Sequence, residues 1–282
     1  MMFKFQEFLG ASVAITIVDV GAASMGEGSD AYAALTGYAG TTLYGFEPNA
    51  DACRLRNAQA TANQTFLPYF IGDGSARTFH ECENPLTSSL YEPDADLLAR
   101  FQRLDLPVKQ RVPVQTTRLD DAELPSVDFL KLDIQGAELD AIRGGPHVLA
   151  DVLVVHTEIE FIPMYRGQAL FGDIDVALRA HGLMFHQFIG LFSRQFKPVM
   201  YRNDPFSAGS QLIYAEAAVY VRDLAQMDRA PREQVLKLVT VLHDVYRSYD
   251  LAAHLLDGLD RREGSALMER YVRSLVAGRA VD

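Results

Sequence analysis

Residues 14–23 read Ala14-Ile15-Thr16-Ile17-Val18-Asp19-Val20-Gly21-Ala22-Ala23, a short β-branched run closed by an acid and a glycine. A run of this length and composition reads as a strand buried on both faces. Gly21 permits a tight turn and a close approach of backbone to ligand. A strand ending in an acid, then a glycine turn, then a helix, sets a carboxylate and backbone N–H groups at the carboxyl end of a sheet. Open α/β sheets bind their ligands there. Asp19 is placed to accept a hydrogen bond from an ammonium group, although a plain strand-to-helix turn would show the same residues.

Outward from this stretch, strand-length apolar runs alternate with helical patterns, as in a doubly wound parallel sheet. The spacing predicts a helix over 29–35, a strand over 41–47 and a helix capped by Asn49 that runs to about Ala62. Further strands are predicted over 65–71, 110–117, 127–133, 152–159, 183–189 and 211–221, with helices over 95–104, 137–142 and 174–180. The connection from Gly72 to Leu124 is less regular and punctuated by Pro85, Pro93, Pro107 and Pro113. Beyond Arg222 the pattern turns helical: Val235, Leu238, Val239, Leu242, Val245 and Tyr249 form one apolar stripe, continued by 251–256 and 267–276.

Composition bounds the function. The chain has 26 Lys and Arg against 37 Asp and Glu, a net charge of −11, so nucleic acid is a poor partner. No apolar stretch approaches the ~20 residues of a membrane helix. The first ten residues lack a basic start and a small-residue cleavage site, so no signal peptide is expected and the protein is placed in the cytoplasm. Cys53 and Cys82 read as free thiols.

Gly45-Phe46-Glu47-Pro48-Asn49 supplies a second acid at a strand end, suited to accept both hydroxyls of a ribose. Asp19 and Glu47 together mark a nucleoside-bearing cofactor. Gly21, Gly26 and Gly28 do not make the G-x-G-x-x-G pattern that cradles a pyrophosphate, which disfavours a nucleotide-dependent oxidoreductase. A non-catalytic cofactor-binding interaction module is the other rival.

The stretch Phe129-Leu130-Lys131-Leu132-Asp133-Ile134-Gln135-Gly136-Ala137-Glu138-Leu139 resembles the signature of the FkbM family of methyltransferases, whose "KxDxxGxE" motif ends the fourth strand. The stretches at Asp19 and Glu47 resemble that family's "DVGA" and "FEP". Similar stretches follow at 87–93, 116–121 and 158–171, so the resemblance covers about residues 15–222. It departs from the family's "DVGANxG" at Ala23 and Met25, which implies a reshaped turn over 23–28.

The resemblance implies an α/β, Rossmann-like methyltransferase fold over 1–222: a mostly parallel seven-stranded sheet with helices on both faces. A helical C-terminal extension follows over 223–282, which covers the domain or builds a homo-oligomer interface. It implies S-adenosyl-L-methionine as cofactor and a small-molecule or glycan acceptor, commonly methylated at a hydroxyl oxygen. The cofactor residues are then Asp19, Gly21, Ala22, Glu47, Pro48, Asp73 and Asp133. The catalytic candidates are Asp133, near the methyl group, and Glu158 as base, followed by His156 and Glu138. His156, Glu158 and Glu160 alternate along the fifth strand, but that strand is expected to end near Glu158, so no metal site is assigned to them.

Overall fold

The β-branched run around Val18 forms the centre of a seven-stranded sheet in the computed structural model, which describes residues 3–23, 30–206 and 208–279. The reshaped turn expected over 23–28 therefore lies, past Ala23, outside the described residues. In chain order the strands are β1 (Thr16–Val20), β2 (Thr42–Phe46), β3 (Gln64–Leu67), β4 (Phe70–Ile71), β5 (Ala76–Cys82), β6 (Val108–Thr117), β7 (Phe129–Leu132), β8 (Val154–Glu160), β9 (Leu183–Arg194) and β10 (Gln211–Arg222). The helices are α1 (Phe5–Leu9), α2 (Ala33–Thr36), α3 (Ala50–Gln59), α4 (Ala95–Leu98), α5 (Glu138–Arg143), α6 (Pro146–Asp151), α7 (Phe171–Ala180), α8 (Leu224–Met227), α9 (Arg232–Val241), α10 (Tyr249–Glu263) and α11 (Leu267–Arg279). A wide helical turn, Leu242–Tyr246, joins α9 to the last pair.

The main sheet has the order β3-β2-β1-β7-β8-β10-β9. From β3 to β8 every pairing is parallel, and β10 runs antiparallel between β8 and β9. Parallel neighbours need crossovers, and the helices supply them. Asn49 starts α3 by accepting the N–H groups of Asp51 and Ala52, both at 3.0 Å. The chain builds outward from β1 through β2 and β3, then returns to lay β7 on the other side. The reversal opens a crevice beyond the carboxyl ends of β1 and β7, the position where such sheets take ligands.

Several elements differ from the sequence expectation for identifiable reasons. The strand expected over 65–71 is broken in two: Pro68 has no N–H to give to a ladder, so β3 ends at Leu67 in the main sheet. Beyond it, β4 pairs with β6 in a separate three-stranded sheet of order β4-β6-β5. The helix expected over 95–104 closes after four residues, at Leu98. The strand carrying Glu158 does not end there; β8 stays extended through Glu160 and is buried along its whole length. The two cysteines are buried and unpaired.

One face of the main sheet packs on α5, α6 and α7 through Leu130, Leu132, Val155 and Tyr220. The other face carries Ile17, Phe129, Val154 and Val219 beneath Val235, Leu238, Val239, Leu255, Leu256 and Leu259 of α9 and α10. The helices beyond 222 therefore share one core with the sheet. Lys237 on α9 also reaches Asp128 at the start of β7, at 3.0 Å. Arg222 ties the end of β10 down: its buried guanidinium donates to the carbonyls of Leu149, Val152 and His181. Among the described residues no helix is long and apolar enough to cross a membrane.

Because Leu238 is fully buried in this layer, Leu238→Ala should cost about 2–5 kcal/mol, read as a shifted denaturant midpoint. Ending the chain after Met227 should leave no cooperative melting transition, since a whole sheet face loses its cover. A truncated chain that melts as sharply as the parent would show the helices to be dispensable.

Candidate active site

On the face beneath α9 and α10, the central strands change from apolar to polar as they approach their carboxyl ends. In β1, Ile17 gives way to Asp19; in β7, Phe129 gives way to Lys131; in β8, Val154 gives way to His156, Glu158 and Glu160. The register sets Asp19 opposite Lys131 and Lys131 opposite His156. Asp19 is 1% exposed, and its two oxygens accept from Lys131 Nζ at 3.0 Å and Tyr32 Oη at 2.6 Å. The same ammonium lies 3.6 Å from Asp133 Oδ2. Burial opposes the Lys131 charge, but the carboxylates of Asp19 and Asp133 outweigh it and hold the pKa above the usual lysine value.

Gly21 follows β1 with a φ of +86°, and a Cβ there would stand 1.9 Å from the carbonyl oxygen of Asp133. Only glycine meets both demands. The N–H groups of Gly21 and Ala22 each donate to the Phe46 carbonyl at 3.0 Å. Those two amides are thus engaged within the fold, and the turn contributes shape rather than free donors at these positions. Glu47, just past β2, is 6% exposed and accepts the Asn49 N–H at 2.8 Å through one oxygen. Burial raises its pKa, and the nearby Asp19 charge adds to that, against the Asn49 amide. Half-buried Pro48 follows it. Asp73 is differently placed: it sits in the turn before β5, and its carboxylate is taken up by Ser75 and by Arg77, which also pairs with Asp140.

Past β7, Gln135 and Gly136 take φ values of +54° and +95°, and this bend gathers the acids of three elements. The Gln135 side-chain amide donates to Asp133 Oδ1 at 3.1 Å and to Glu158 Oε2 at 2.5 Å. Its own oxygen accepts from Tyr165 Oη at 3.1 Å. Glu138, 1% exposed, accepts the Ile134 N–H at 2.8 Å, and burial pushes its pKa up to about 7. Burial, with the neighbouring Asp133 and Glu160, drives Glu158 well above the carboxylate range. Glu160 is driven up likewise, by burial and then by Glu138 and Asp133.

His156 lies one step down the same face, under the helices rather than at the open edge. Its Nδ1 is 3.1 Å from Tyr246 Oη, and burial, helped by Lys131, lowers its pKa to about 3. An imidazole so weakly basic is a poor proton acceptor. The structure sets no three of the described His, Cys, Asp and Glu side chains in position to hold one ion. Two contributors escaped the sequence reading. Gln135 lies inside the 129–139 signature, where the glycine beside it is the available signal of a bend. Tyr32 falls in a segment whose pattern suggested only a helix.

A doubly wound sheet whose last strand is inserted antiparallel, with acids gathered at its switch point, defines a Rossmann-like methyltransferase. The chain belongs to the FkbM methyltransferase family: residues 19–183 match the domain described as "Methyltransferase FkbM domain". It is also similar to the 2-O-methyltransferase NoeI of Sinorhizobium fredii, 32% identical over 169 residues, which cover 54% of this chain and 66% of that protein's length. Two crystal structures resemble it at 14% identity over 78% of the chain. One is the magnesium protoporphyrin IX methyltransferase of Synechocystis PCC 6803 with bound SAM, 76% covered at a TM-score of 0.37. The other is the FkbM methyltransferase of Methylobacillus flagellatus KT, 44% covered at a TM-score of 0.40.

The buried acids make stability depend on pH. Glu138, at about 7 in the fold, holds its proton more tightly than an unfolded glutamate at about 4.3. Its contribution is complete below the unfolded value and is lost as pH rises through the folded one. Raising pH from about 5 to 8 should therefore lower the melting temperature of the ligand-free protein, with about 3 kcal/mol at most from Glu138. Glu138→Gln should flatten that slope; an unchanged slope in the folded variant would contradict it.

Proposed function

We propose that this chain is an S-adenosylmethionine-dependent O-methyltransferase whose acceptor is a hydroxyl of a sugar, glycan or secondary metabolite. The observation that carries the reading is the set of acids at one sheet edge: Asp19 after Ile17 in β1, Glu47 past β2, and Asp133 past β7. The residues suit the cofactor in three places. The glycine at position 21 lets the turn pack directly on the Asp133 carbonyl, which a Cβ would prevent, and this brings Asp19 and Asp133 to one edge. Glu47 keeps a second oxygen with no hydrogen bond among the described residues, suited to ribose hydroxyls. Asp19 has two donors, yet a carboxylate offers about four lone-pair sites and retains room for an ammonium. Oxygen as the acceptor atom is supported by the name of the relative from Sinorhizobium fredii.

When bound, the cofactor supplies a methyl group on a sulfonium sulfur, an electrophile that needs an in-line nucleophile. Asp133, 42% exposed in its side chain, faces the crevice from the strand next to Asp19 and helps orient the reacting end. Glu158, oriented by Gln135, takes the proton from the acceptor hydroxyl. Positioning of the partners is worth up to about 7–11 kcal/mol, and a general base adds about 10²–10⁴-fold. The half-buried Phe192 and Tyr214 rings stack 4.7 Å apart at an angle of 12°. Tyr214 pairs with Glu160 across the strands, so this aromatic face adjoins the base and suits a sugar ring. The core that the C-terminal helices share with the sheet supports a role for them as its cover.

Glu47→Ala should weaken S-adenosylmethionine binding about tenfold or more, since charge-assisted hydrogen bonds are worth roughly 1.5–3 kcal/mol each. Calorimetry that instead found tight NAD binding to the parent would sink the cofactor assignment. Glu158→Gln should lower turnover at least about a hundredfold and leave cofactor affinity within a few-fold. Near-normal turnover of the folded variant on its true acceptor would remove Glu158 as base.

A further inference from the structure

The carboxyl end of the sheet holds more acid than its cations balance. Lys131 serves Asp19 and Asp133. Among the described residues no ion pair reaches Glu138, Glu158 or Glu160, which lie on α5 and β8. Glu160 is 0% exposed, and neither of its oxygens has a hydrogen-bond partner among the described residues; the Gln168 side chain and its own backbone amide favour its charge, but burial with Glu138 and Asp133 outweighs them. Glu158 has one hydrogen-bond donor among the described residues, Gln135, and the neighbouring Asp133 carboxyl opposes its charge. Among the described residues the nearest cations are Lys131 on β7, taken up by Asp19 and Asp133, and Arg194 beside Tyr214; neither forms an ion pair with Glu158 or Glu160. Tyr165 and Tyr214 face the two glutamates with phenols whose own ionisation these carboxylates oppose after burial, and His156 is neutral. A buried carboxylate without a partner is costly to ionise.

Resting on the reading of the site as S-adenosylmethionine-dependent, we propose that Glu158 and Glu160 are held protonated in the ligand-free enzyme and release a proton to solvent when the sulfonium cation settles beside them. An opposite charge within a few ångströms favours the ionised form of a carboxyl group. Glu158 is then a base only while the methyl donor is in place. The charges close over the cycle. A carboxylic O–H breaks on binding and its proton passes to the buffer, leaving a carboxylate against the sulfonium. During transfer the acceptor O–H proton moves to Glu158, the C–O bond forms, the C–S bond breaks with its electron pair going to sulfur, and a neutral thioether remains. The cluster returns to its protonated state with no cation beside it, ready for exchange of the product. Glu160 acts through Glu158 and is a positioning residue.

The test is calorimetric titration with S-adenosylmethionine and with S-adenosylhomocysteine, each in buffers of low and high ionisation enthalpy. At about pH 6.5 the α-amino groups of both ligands, near 7.7–8.0 in the usual case, stay charged. Release of close to one proton per S-adenosylmethionine is expected, and less than a third of that with the uncharged product. The Glu158→Gln/Glu160→Gln double variant should bind both ligands and release none, and Glu158→Gln alone should release less than half. Equal release with both ligands, or release undiminished in variants that still bind, overturns the proposal while leaving the cofactor assignment standing. Failure of either ligand to bind the parent overturns the cofactor assignment itself.

Discussion

Lys131 stands between acids on two neighbouring strands, and the geometry of the sheet edge follows from it. Asp19 is buried in the centre of the sheet, where an ionised carboxylate survives only with a partner; removing one member of such a pair typically costs about 3–5 kcal/mol. Lys131 reaches it only if β7 lies parallel to β1 in the observed register. A slip of one residue would turn Lys131 to the opposite face, against Val18, Val20 and Val155 of the neighbouring strands. With the register held, the turn at Gly21 passes directly over the Asp133 carbonyl, and the N–H of Asp133 donates to Val20. The crevice is thus shaped by the same contact that neutralises its deepest charge.

Much of this was legible in the sequence because the signals were local. A β-branched run closed by Asp19 and Gly21 reads as a buried strand and a tight turn without knowledge of its neighbours. The same holds for Glu47 before Pro48, and for Asn49 as the cap of α3. The three-stranded sheet was hidden because its pairing is non-local: β4 is two residues long, and only its partner β6, some forty residues on, makes it a strand. Pro68 announced a break, but not that the chain would resume in a different sheet. The shared core of the C-terminal helices was half visible. The stripe through Val235 and Leu238 indicated packing, and which sheet face would receive it is a tertiary fact.

The acid cluster was the least legible part. Alternation put Glu158 and Glu160 on one face, but glutamates inside a strand usually signal its end, so β8 was expected to stop early. It continues because β10 pairs with it as far as Glu160, beyond the end of its ladder with β7 at Thr157, and the sheet carries the carboxyl groups into the interior. Gln135 has no signature as an isolated residue. Its role arises from a left-handed bend that brings one amide within reach of both Asp133 and Glu158.

The division of one sheet face into an apolar half and a polar half explains how a hydrophobic core and a charged site coexist. Phe129 and Tyr246 lie with rings 6.5 Å apart and 13° from parallel, and Tyr246 also contacts His156. The boundary between core and site is therefore a wall contributed by the turn after α9. That wall keeps water away from the floor of the crevice, and exclusion of water strengthens each electrostatic interaction above it. The same low polarity raises Glu138, Glu158 and Glu160, which no ion pair among the described residues offsets. The segment beyond 222 reaches the polar half of the face through Tyr246, and its cover helps set the dielectric in which those carboxyl groups hold or lose their protons.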